Sequence, residues 1–339
     1  MSRTWPHWKF CPNSHGMSIH ETVAPLYKSL SGSSMGTSWT VKLRDSGIDL
    51  ARLNSDIQAA LDEIVAQMST WDPASAISRL NQSETGWYQV PSALFHVLSH
   101  ALELAEASSG AYDPTVGQLV NLWGFGPSGP VDTPPPDHAI RLALTHTGWQ
   151  RTALDHRYRA VWQPGGMHFD LSSIAKGFGA DEVSRVLDAA GITDYLVELG
   201  GEVTARGAGP AGTHWALNIE TPALAEQIPI VLKNISVATS GDYRRFFMYQ
   251  GHRMAHTINA RCGTPVAHPL ASVTVLHPQC MMADGLATAL LAMGPEKGFA
   301  HARHSKVAAL FMTRHPTDFA VSWTDEFAAL AGMNRTESC

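Results

Sequence analysis

Three stretches of the chain carry apolar residues at the three- and four-residue spacing of an amphipathic helix. They cover Leu50–Met68, 92–108 and 174–190. The first stretch repeats its apolar side chains at Leu53, Ile57, Leu61, Ile64 and Met68. Gly110 and Gly191 follow the second and third stretches, as is typical where a helix ends. The pattern therefore predicts three helices, each with one buried face.

Shorter runs, alternating or β-branched, predict strands. The clearest are 195–199 and 202–206, joined by two glycines, and 272–276, which reads SVTVL. Further strands are predicted after the bend at Gly36, at 215–219 and 228–232, and in a hairpin of 152–163 with 166–171. Strands outnumber helices in the second half of the chain. The predicted fold class is therefore α+β, with helices packed on an antiparallel or mixed sheet around one continuous core.

The chain shows no internal repeat and no long linker, so a single large unit is expected. Residues 1–34 are rich in Ser, Pro and His without periodicity, and they are predicted to be a loosely ordered lead-in. The folded domain is predicted to span 35–330, and a short C-terminal tail is predicted at 331–339.

Composition narrows the class of protein. The formal net charge is −6 and the isoelectric point is near 6.3, which leaves no basic surface of the kind that binds nucleic acid. No stretch approaches the roughly 18 apolar residues that span a bilayer. The first residues lack the apolar core of a secretory signal, and the four cysteines show no CxxC spacing. The sequence as written predicts a cytoplasmic protein, or a periplasmic one if a leader is missing.

The first candidate site follows the predicted strand 272–276. A helix is predicted from about Met281, and Asp284 and Thr288 lie four residues apart on one of its faces. A carboxylate and a hydroxyl near a helix start are oxygen ligands suited to Mg²⁺. A structural alternative is that Asp284 offsets the helix dipole while Thr288 bonds back to its own helix.

Three further polar clusters lie at strand ends or helix starts. Asp170, Ser173 and Lys176 are spaced three residues apart. The charge of Lys176 suits a phosphate, and the oxygen of Ser173 suits a metal. The structural alternative is that Asp170 or Ser173 caps the helix and Lys176 is solvated. Residues 236–243 form a polar turn, for which a simple loop is the alternative. The third cluster is His252 and His256, and a histidine that titrates near neutral pH can take a proton from a hydroxyl group. In a chain with 17 histidines, a structural or surface role is the commoner one.

These clusters fall within motifs that resemble the ApbE family, the FAD:protein FMN transferases. The resemblance runs from Met35 to about Ala309, and the motifs keep the family's order. They are MGT at Met35, MSTWDPASAISRLN from Met68, GAYDPTVGQLVNLWGFG from Gly110, DLSSIAKGFGADEV from Asp170, LVELGGEVTARG from Leu196, SVATSGDYRRFF from Ser236, HTINARCGTPV from His256 and SVTVLHPQCMMADGLATALLAMG from Ser272.

The resemblance implies a mixed α+β fold, T-fold-like, with a smaller inserted part. It also implies an activity: FMN is transferred from FAD, the substrate, to a Ser or Thr hydroxyl of an acceptor protein, and AMP is released. The acceptor would often belong to a membrane redox complex. Charge neutralisation by Mg²⁺ would assist cleavage of the FAD pyrophosphate.

Site residues carry over by matching position. Ser173, Asp284 and Thr288 would hold the metal, and His256 would be the general base. The residues expected to contact FAD are Met35, Trp71, Ala111, Tyr112, Asp113, Asp170, Lys176 and Ile258.

One motif departs from the family. Members usually read His-Thr-Ile-Asp-Pro where this chain has His256-Thr257-Ile258-Asn259-Ala260. The base is retained, but its positioning or basicity is open to change. Two other functions stay open. One is a Mg²⁺-dependent FAD pyrophosphatase, in which water replaces the acceptor hydroxyl, because the sequence does not settle which nucleophile reaches the phosphorus. The other is a protein that binds FAD without turnover, which the Asn259-Ala260 change alone supports, while the retained His256, Asp284 and Thr288 argue against it.

Overall fold

The computed structural model describes residues 27–221, 227–243 and 245–333. The helices are α1 Leu50–Met68, α2 Ala76–Asn81, α3 Ser92–Ala107, α4 Gly117–Leu122, α5 Asp137–Thr145, α6 Ala175–Ala189, α7 Cys280–Met293, α8 Pro295–His304 and α9 Asp325–Ala331. The strands are β1 Tyr27–Ser34, β2 Thr37–Arg44, β3 Gly86–Gln89, β4 Leu154–Asp155, β5 Ala160–Gln163, β6 Tyr195–Leu199, β7 Glu202–Arg206, β8 Trp215–Ile219, β9 Ile228–Leu232, β10 Ser236–Gly241, β11 Phe246–Tyr249, β12 His252–Ala255, β13 Ile258–Asn259, β14 Thr264–Pro265, β15 Leu270–His277, β16 Ala308–Arg314 and β17 Phe319–Trp323.

An eight-stranded sheet organises the fold, in the order β1-β2-β6-β7-β10-β15-β16-β17. Every neighbouring pair in it is antiparallel. Helices α1, α3 and α6 share a core with β2 and β6, while α7 and α8 pack on β10, β15 and β16. The hairpin β8–β9 and α9 cover the other face. The predicted α+β class, with helices on an antiparallel sheet, is confirmed.

A smaller part adjoins this layered unit. Helices α4 and α5, the hairpin β11–β12 and strand β13 enclose a separate apolar cluster around Leu119, Trp123 and Ile140. The Trp123 indole N–H donates to the Gly263 carbonyl at 2.8 Å, which ties α4 to the turn between β13 and β14. This cluster is the smaller inserted part that the family resemblance implies. Across the described residues, no helix is long and apolar enough to cross a bilayer.

The expected lead-in is wrong for residues 27–34, because they form the edge strand β1 of the main sheet. Its sequence YKSLSGSS has weak strand propensity, and pairing with β2 through the Met35-Gly36 turn supplies the order. Both turn residues have positive φ, as tight hairpins require. Gly32 lies opposite Trp39, whose indole covers the space a side chain would need. Residues 1–26 lie outside the described part, as do 334–339 of the predicted tail.

The predicted hairpin of 152–163 with 166–171 is also wrong. Strand β5 pairs with β4 on one side and with β3 on the other, in a separate three-stranded sheet. Residue His168 instead forms an isolated parallel bridge with Val116. The Pro164-Gly165 turn signal is local, and it does not reveal that β3, far back in the sequence, takes the partner position.

Candidate active site

Helices α6 and α7 begin side by side, and each caps the other. The Asp284 carboxylate of α7 accepts a hydrogen bond from the Gly177 backbone N–H of α6 at 3.0 Å. In return, the Asp181 carboxylate of α6 accepts from the Cys280 and Met281 backbone N–H groups of α7, both at 2.9 Å. These bonds satisfy backbone donors that a helix start leaves unpaired. The two helix starts therefore converge on one site.

The close approach of the two helices depends on Gly177. A β-carbon at this position would overlap the Cys280 carbonyl oxygen and press on the Asp284 β-carbon. Glycine removes that obstacle, although it costs helix stability. The sequence motif SIAKGFG therefore places Lys176 beside the metal-ligand candidate of α7.

Three ionisable groups meet at this junction: Lys176, Asp284 and Glu202. Burial raises the pKa of Glu202, while the adjacent Lys176 ammonium acts against that rise and favours the carboxylate form. The Lys176 ammonium lies 2.5 Å from Glu202 Oε1 and 4.0 Å from Asp284 Oδ2. Burial by itself would lower the pKa of Lys176, but Asp284 and Glu202 outweigh it and raise that pKa, so the ammonium stays charged. Burial raises the pKa of Asp284, while Lys176 and the Gly177 N–H act against that rise. Lys176 and Asp284, predicted separately, are thus brought together.

The two hydroxyl groups among the predicted metal ligands, those of Thr288 and Ser173, each make a hydrogen bond to another side chain. Thr288 Oγ1, one helical turn after Asp284, lies 2.8 Å from Ser240 Oγ of β10. The Ser173 hydroxyl, just before α6, donates to the Tyr112 phenol oxygen at 3.1 Å, which leaves its own lone pairs able to accept a cation. Structural hydrogen bonding and metal binding are compatible at both positions.

The donor set fits a hard divalent cation. Asp284, which is 3% exposed, would supply the carboxylate, and the Thr288 and Ser173 hydroxyls would be further oxygen donors. Mg²⁺ characteristically takes one or two carboxylates and completes its shell with water and phosphate oxygens. No three His, Cys, Asp or Glu side chains converge as metal ligands within the described residues.

The Asp113 carboxylate fixes the backbone of the predicted FAD-contact loop, residues 111–113. Asp113 Oδ1 accepts from the Thr115 N–H and hydroxyl, and its Oδ2 accepts from the Trp149 N–H at 3.1 Å. Tyr112 is buried, and this burial raises the pKa of its phenol, which stays protonated. Asp113 therefore shapes the loop that presents Ala111 and Tyr112.

The remaining FAD-contact candidates lie on separate elements of the fold. Asp170 accepts from the Ser172 N–H at 2.8 Å and so fixes the turn into α6. Met35 packs against the main core, with its sulfur close to Gly179 of α6. Trp71 lies in the turn after α1 and is 60% exposed, so its ring is available for stacking. Ile258 packs in the small cluster, where its side chain is part of the core.

His256, the predicted base, follows β12, and a backbone carbonyl orients its ring. Its Nδ1 lies 3.1 Å from the Arg245 carbonyl oxygen. A carbonyl only accepts, so Nδ1 carries the proton and Nε2 keeps a free lone pair. Burial lowers the pKa of His256 to about 4, helped by the charges of Arg245 and, more weakly, Lys176. The imidazole is therefore neutral at physiological pH and within electrostatic reach of the Lys176 cluster.

Comparison with known proteins decides the family. The ApbE family model matches residues 35–311. The chain belongs to the ApbE family. The FAD:protein FMN transferase of Haemophilus influenzae is 36% identical over 314 residues, covering 89% of this chain and 91% of that protein. The same-named protein of Vibrio cholerae is 38% identical over 296 residues, covering 86% and 88%.

Solved ApbE structures share the fold. The apo flavinyl transferase ApbE of Pseudomonas stutzeri matches with a TM-score of 0.86 at 34% identity, over 93% of this chain and 100% of that one. The flavin transferase ApbE of Vibrio cholerae matches with a TM-score of 0.84 at 35% identity, over 90% and 100%. The resemblance drawn from the motifs is confirmed.

The departure from the ApbE motif has a local structural role. Asn259 Oδ1 accepts from the Arg261 N–H at 3.0 Å, and the Asn259 carbonyl accepts from the Gly263 N–H at 2.8 Å. An aspartate oxygen would accept the first bond equally well. The substitution thus keeps the turn that follows His256.

Sequence reasoning missed three residues of this ApbE site: Asp181, Glu202 and Arg245. Glu202 lies within the LVELGGEVTARG motif, and its register opposite Leu199 puts it on the helix-facing side of the sheet. Strand alternation alone indicates that face. Asp181 and Arg245 also lie within quoted motifs, DLSSIAKGFGADEV and SVATSGDYRRFF, but the groups they contact lie in other motifs, so the sequence does not show those contacts.

Proposed function

We propose that this chain transfers FMN from FAD to a Ser or Thr hydroxyl of an acceptor protein and releases AMP. The observation that carries the proposal is the contact of 3.1 Å between His256 Nδ1 and the Arg245 carbonyl oxygen, which orients the ring and leaves Nε2 to act as the base. Membership of a family whose relatives carry this activity in their names supports the same conclusion.

The reaction balances with the groups present. The acceptor oxygen attacks the phosphorus of the FMN half, and its proton passes to His256 Nε2. The bond between that phosphorus and the oxygen bridging to the AMP phosphate breaks, and AMP leaves with that oxygen. A positioned imidazole base typically contributes about 10²- to 10⁴-fold in rate. Lys176 supplies a fixed positive charge for the pyrophosphate.

Asp284, Thr288 and Ser173 would hold a Mg²⁺ ion, which supplies charge neutralisation for the pyrophosphate. The buried carboxylate with hydroxyl neighbours supports this choice. Met35, Trp71, Asp170, Lys176, Ile258 and the 111–113 loop would bind FAD, with the Trp71 ring available to stack on a flat ring system. The acceptor is proposed to be a subunit of a membrane redox complex, as the family resemblance implies.

The experiment is an AMP-release assay with purified protein, FAD and Mg²⁺, run with and without an acceptor domain from an ApbE-family system. The proposal expects AMP release that depends on the acceptor. Equal release without the acceptor, with free FMN as the second product, would instead identify a pyrophosphatase. FAD retained without any AMP would identify a binding protein and contradict the proposed transfer.

A further inference from the structure

Glu202 is the first residue of β7, placed directly after the Gly200-Gly201 turn. Its backbone register opposite Leu199 directs the side chain toward α6 and α7. The residue is only 3% exposed, and its second carboxylate oxygen, Oε2, is buried without a hydrogen-bond partner among the described residues. A buried carboxylate with an unpaired oxygen is costly to the fold, which calls for a functional reason.

Glu202 and Asp284 both lie near the Lys176 ammonium. The Lys176 ammonium is in direct contact with Glu202 Oε1 at 2.5 Å, whereas Asp284 Oδ2 is 4.0 Å away. The Asp284 oxygen instead accepts from the Gly177 N–H. Two carboxylates therefore compete for Lys176, and Glu202 has the closer contact.

Loss of the Glu202 charge would change that balance. A buried ammonium without its partner carries a large desolvation penalty, so it moves to the nearest remaining anion. That anion is Asp284, the carboxylate proposed to bind the metal. A lysine paired tightly with Asp284 would occupy the position that a cation needs.

We propose that Glu202 is a positioning residue that retains the Lys176 ammonium and so leaves Asp284 available to a divalent cation. The proposal rests on the proposed function, in which Asp284 binds Mg²⁺. It assigns Glu202 no contact with the metal, with FAD or with the acceptor. Its action passes through Lys176 alone, and this distinguishes it from a general electrostatic attraction between Glu202 and the cation.

The test measures Mg²⁺ affinity of the full chain by isothermal titration calorimetry, with Mg²⁺ alone as the probe. Glu202→Gln keeps the shape of the side chain and removes its charge. We expect the Kd for Mg²⁺ to rise by about tenfold or more, the change that about 1.4 kcal/mol produces. Glu198→Gln is the matched control, because Glu198 lies on the same hairpin but on the opposite face of the sheet. It should leave the Kd unchanged.

A second background separates the two possible causes. In Lys176→Met, no ammonium is left to move onto Asp284. Adding Glu202→Gln to this variant should then leave the Kd of the Lys176→Met protein unchanged. If Glu202 acts only through long-range attraction, the same loss of affinity would appear in both backgrounds. That result, or an unchanged Kd in Glu202→Gln alone, overturns the proposal.

Two further measurements keep the outcome clear. Circular dichroism and thermal melting establish that each variant is folded. If Glu202→Gln does not fold, Glu202→Asp replaces it. The shorter side chain of Glu202→Asp should weaken Mg²⁺ binding to a smaller extent, and an unchanged Kd in this variant overturns the proposal. Asp284→Asn should abolish Mg²⁺ binding. Binding retained in Asp284→Asn would contradict the proposed metal site itself. Binding lost there but unchanged in Glu202→Gln would contradict only the role of Glu202.

Discussion

The Asp284 carboxylate accepts a hydrogen bond from the Gly177 backbone N–H at 3.0 Å, so the proposed metal ligand also caps helix α6. Its structural role and its functional role are not alternatives. The capping bond fixes one carboxylate oxygen against the helix start, and the neighbouring Thr288 follows one turn later on the same face. Substitutions at Asp284 therefore affect stability and activity by separate routes.

Asp284→Ala should abolish Mg²⁺-dependent transfer and also lower the free energy of unfolding by about 1 kcal/mol, through loss of the cap. Asp284→Asn should abolish transfer with a smaller loss of stability, because its amide oxygen can still accept from Gly177. Transfer assays and denaturant unfolding measure the two effects. Full transfer activity in either variant would remove Asp284 from the metal site.

Gly177→Ala should separate α6 from α7. The added β-carbon would overlap the Cys280 carbonyl oxygen, so we expect destabilisation of about 1 to 3 kcal/mol together with reduced transfer. Gly86→Ala is the control, since its nearest neighbour would lie at an ordinary contact distance of 3.5 Å. Urea unfolding of both variants measures the difference, and equal stabilities would contradict the close helix approach.

His256→Ala should bind FAD normally but lose transfer by about 10²-fold or more, because only the base is removed. Fluorescence titration of FAD and a transfer assay separate the two properties. An alanine variant with full transfer activity would exclude His256 from the mechanism.

The pH dependence of transfer follows from the lowered pKa of His256, about 4. Because the folded-state pKa lies below the ordinary value of about 6.5, the unprotonated base persists well below neutral pH. Protonation of His256 should therefore not reduce transfer between about pH 8 and about pH 5. Arg245→Gln removes one of the charges that lower this pKa, so the acid limb should move to higher pH. An acid limb near pH 6.5 in the unsubstituted protein would contradict the lowered pKa of His256.

The lowered pKa of His256 should also make the free energy of unfolding depend on pH. The contribution of His256 is fully present above its unfolded pKa and is lost as pH falls through the folded value of about 4. Because the unfolded chain binds this proton more readily, acid destabilises the fold. Unfolding free energies of the native chain and His256→Gln, compared across this window, measure it. Parallel pH profiles would contradict the prediction.

Trp71→Ala should weaken FAD binding without loss of stability, because the ring is 60% exposed. Stacking of such a ring contributes about 0.5 to 1.5 kcal/mol, so the Kd should rise about 2- to 12-fold. Trp71→Phe keeps a stacking ring and should retain most of the affinity. An unchanged Kd in Trp71→Ala would remove Trp71 from the FAD site.

The sequence predicts those features whose cause is local. The apolar spacing gives α1 with its observed bounds, and alternation gives β6 and β7, joined by their glycine turn. It does not predict β1, whose order comes from pairing with β2 and from Trp39 covering Gly32. Propensity carries no information about such distant partners.

The same distinction between local and distant causes applies to the candidate site. Family motifs indicate Asp284, Lys176 and His256, because each lies in a recognisable stretch. The contacts that set their behaviour join residues far apart in sequence, such as Asp181 with the start of α7 and Glu202 with Lys176. Only the three-dimensional arrangement shows that the same lysine faces both carboxylates.

The most direct measurement is intact-mass analysis of an ApbE-family acceptor domain after incubation with this protein, FAD and Mg²⁺. Transfer predicts that the acceptor gains the mass of one FMN less one water. Tandem mass spectrometry should locate this group on a Ser or Thr. Replacement of that residue by alanine, omission of Mg²⁺ or His256→Ala should each prevent the gain in mass. An acceptor of unchanged mass alongside accumulating AMP and free FMN would contradict protein flavinylation as the function.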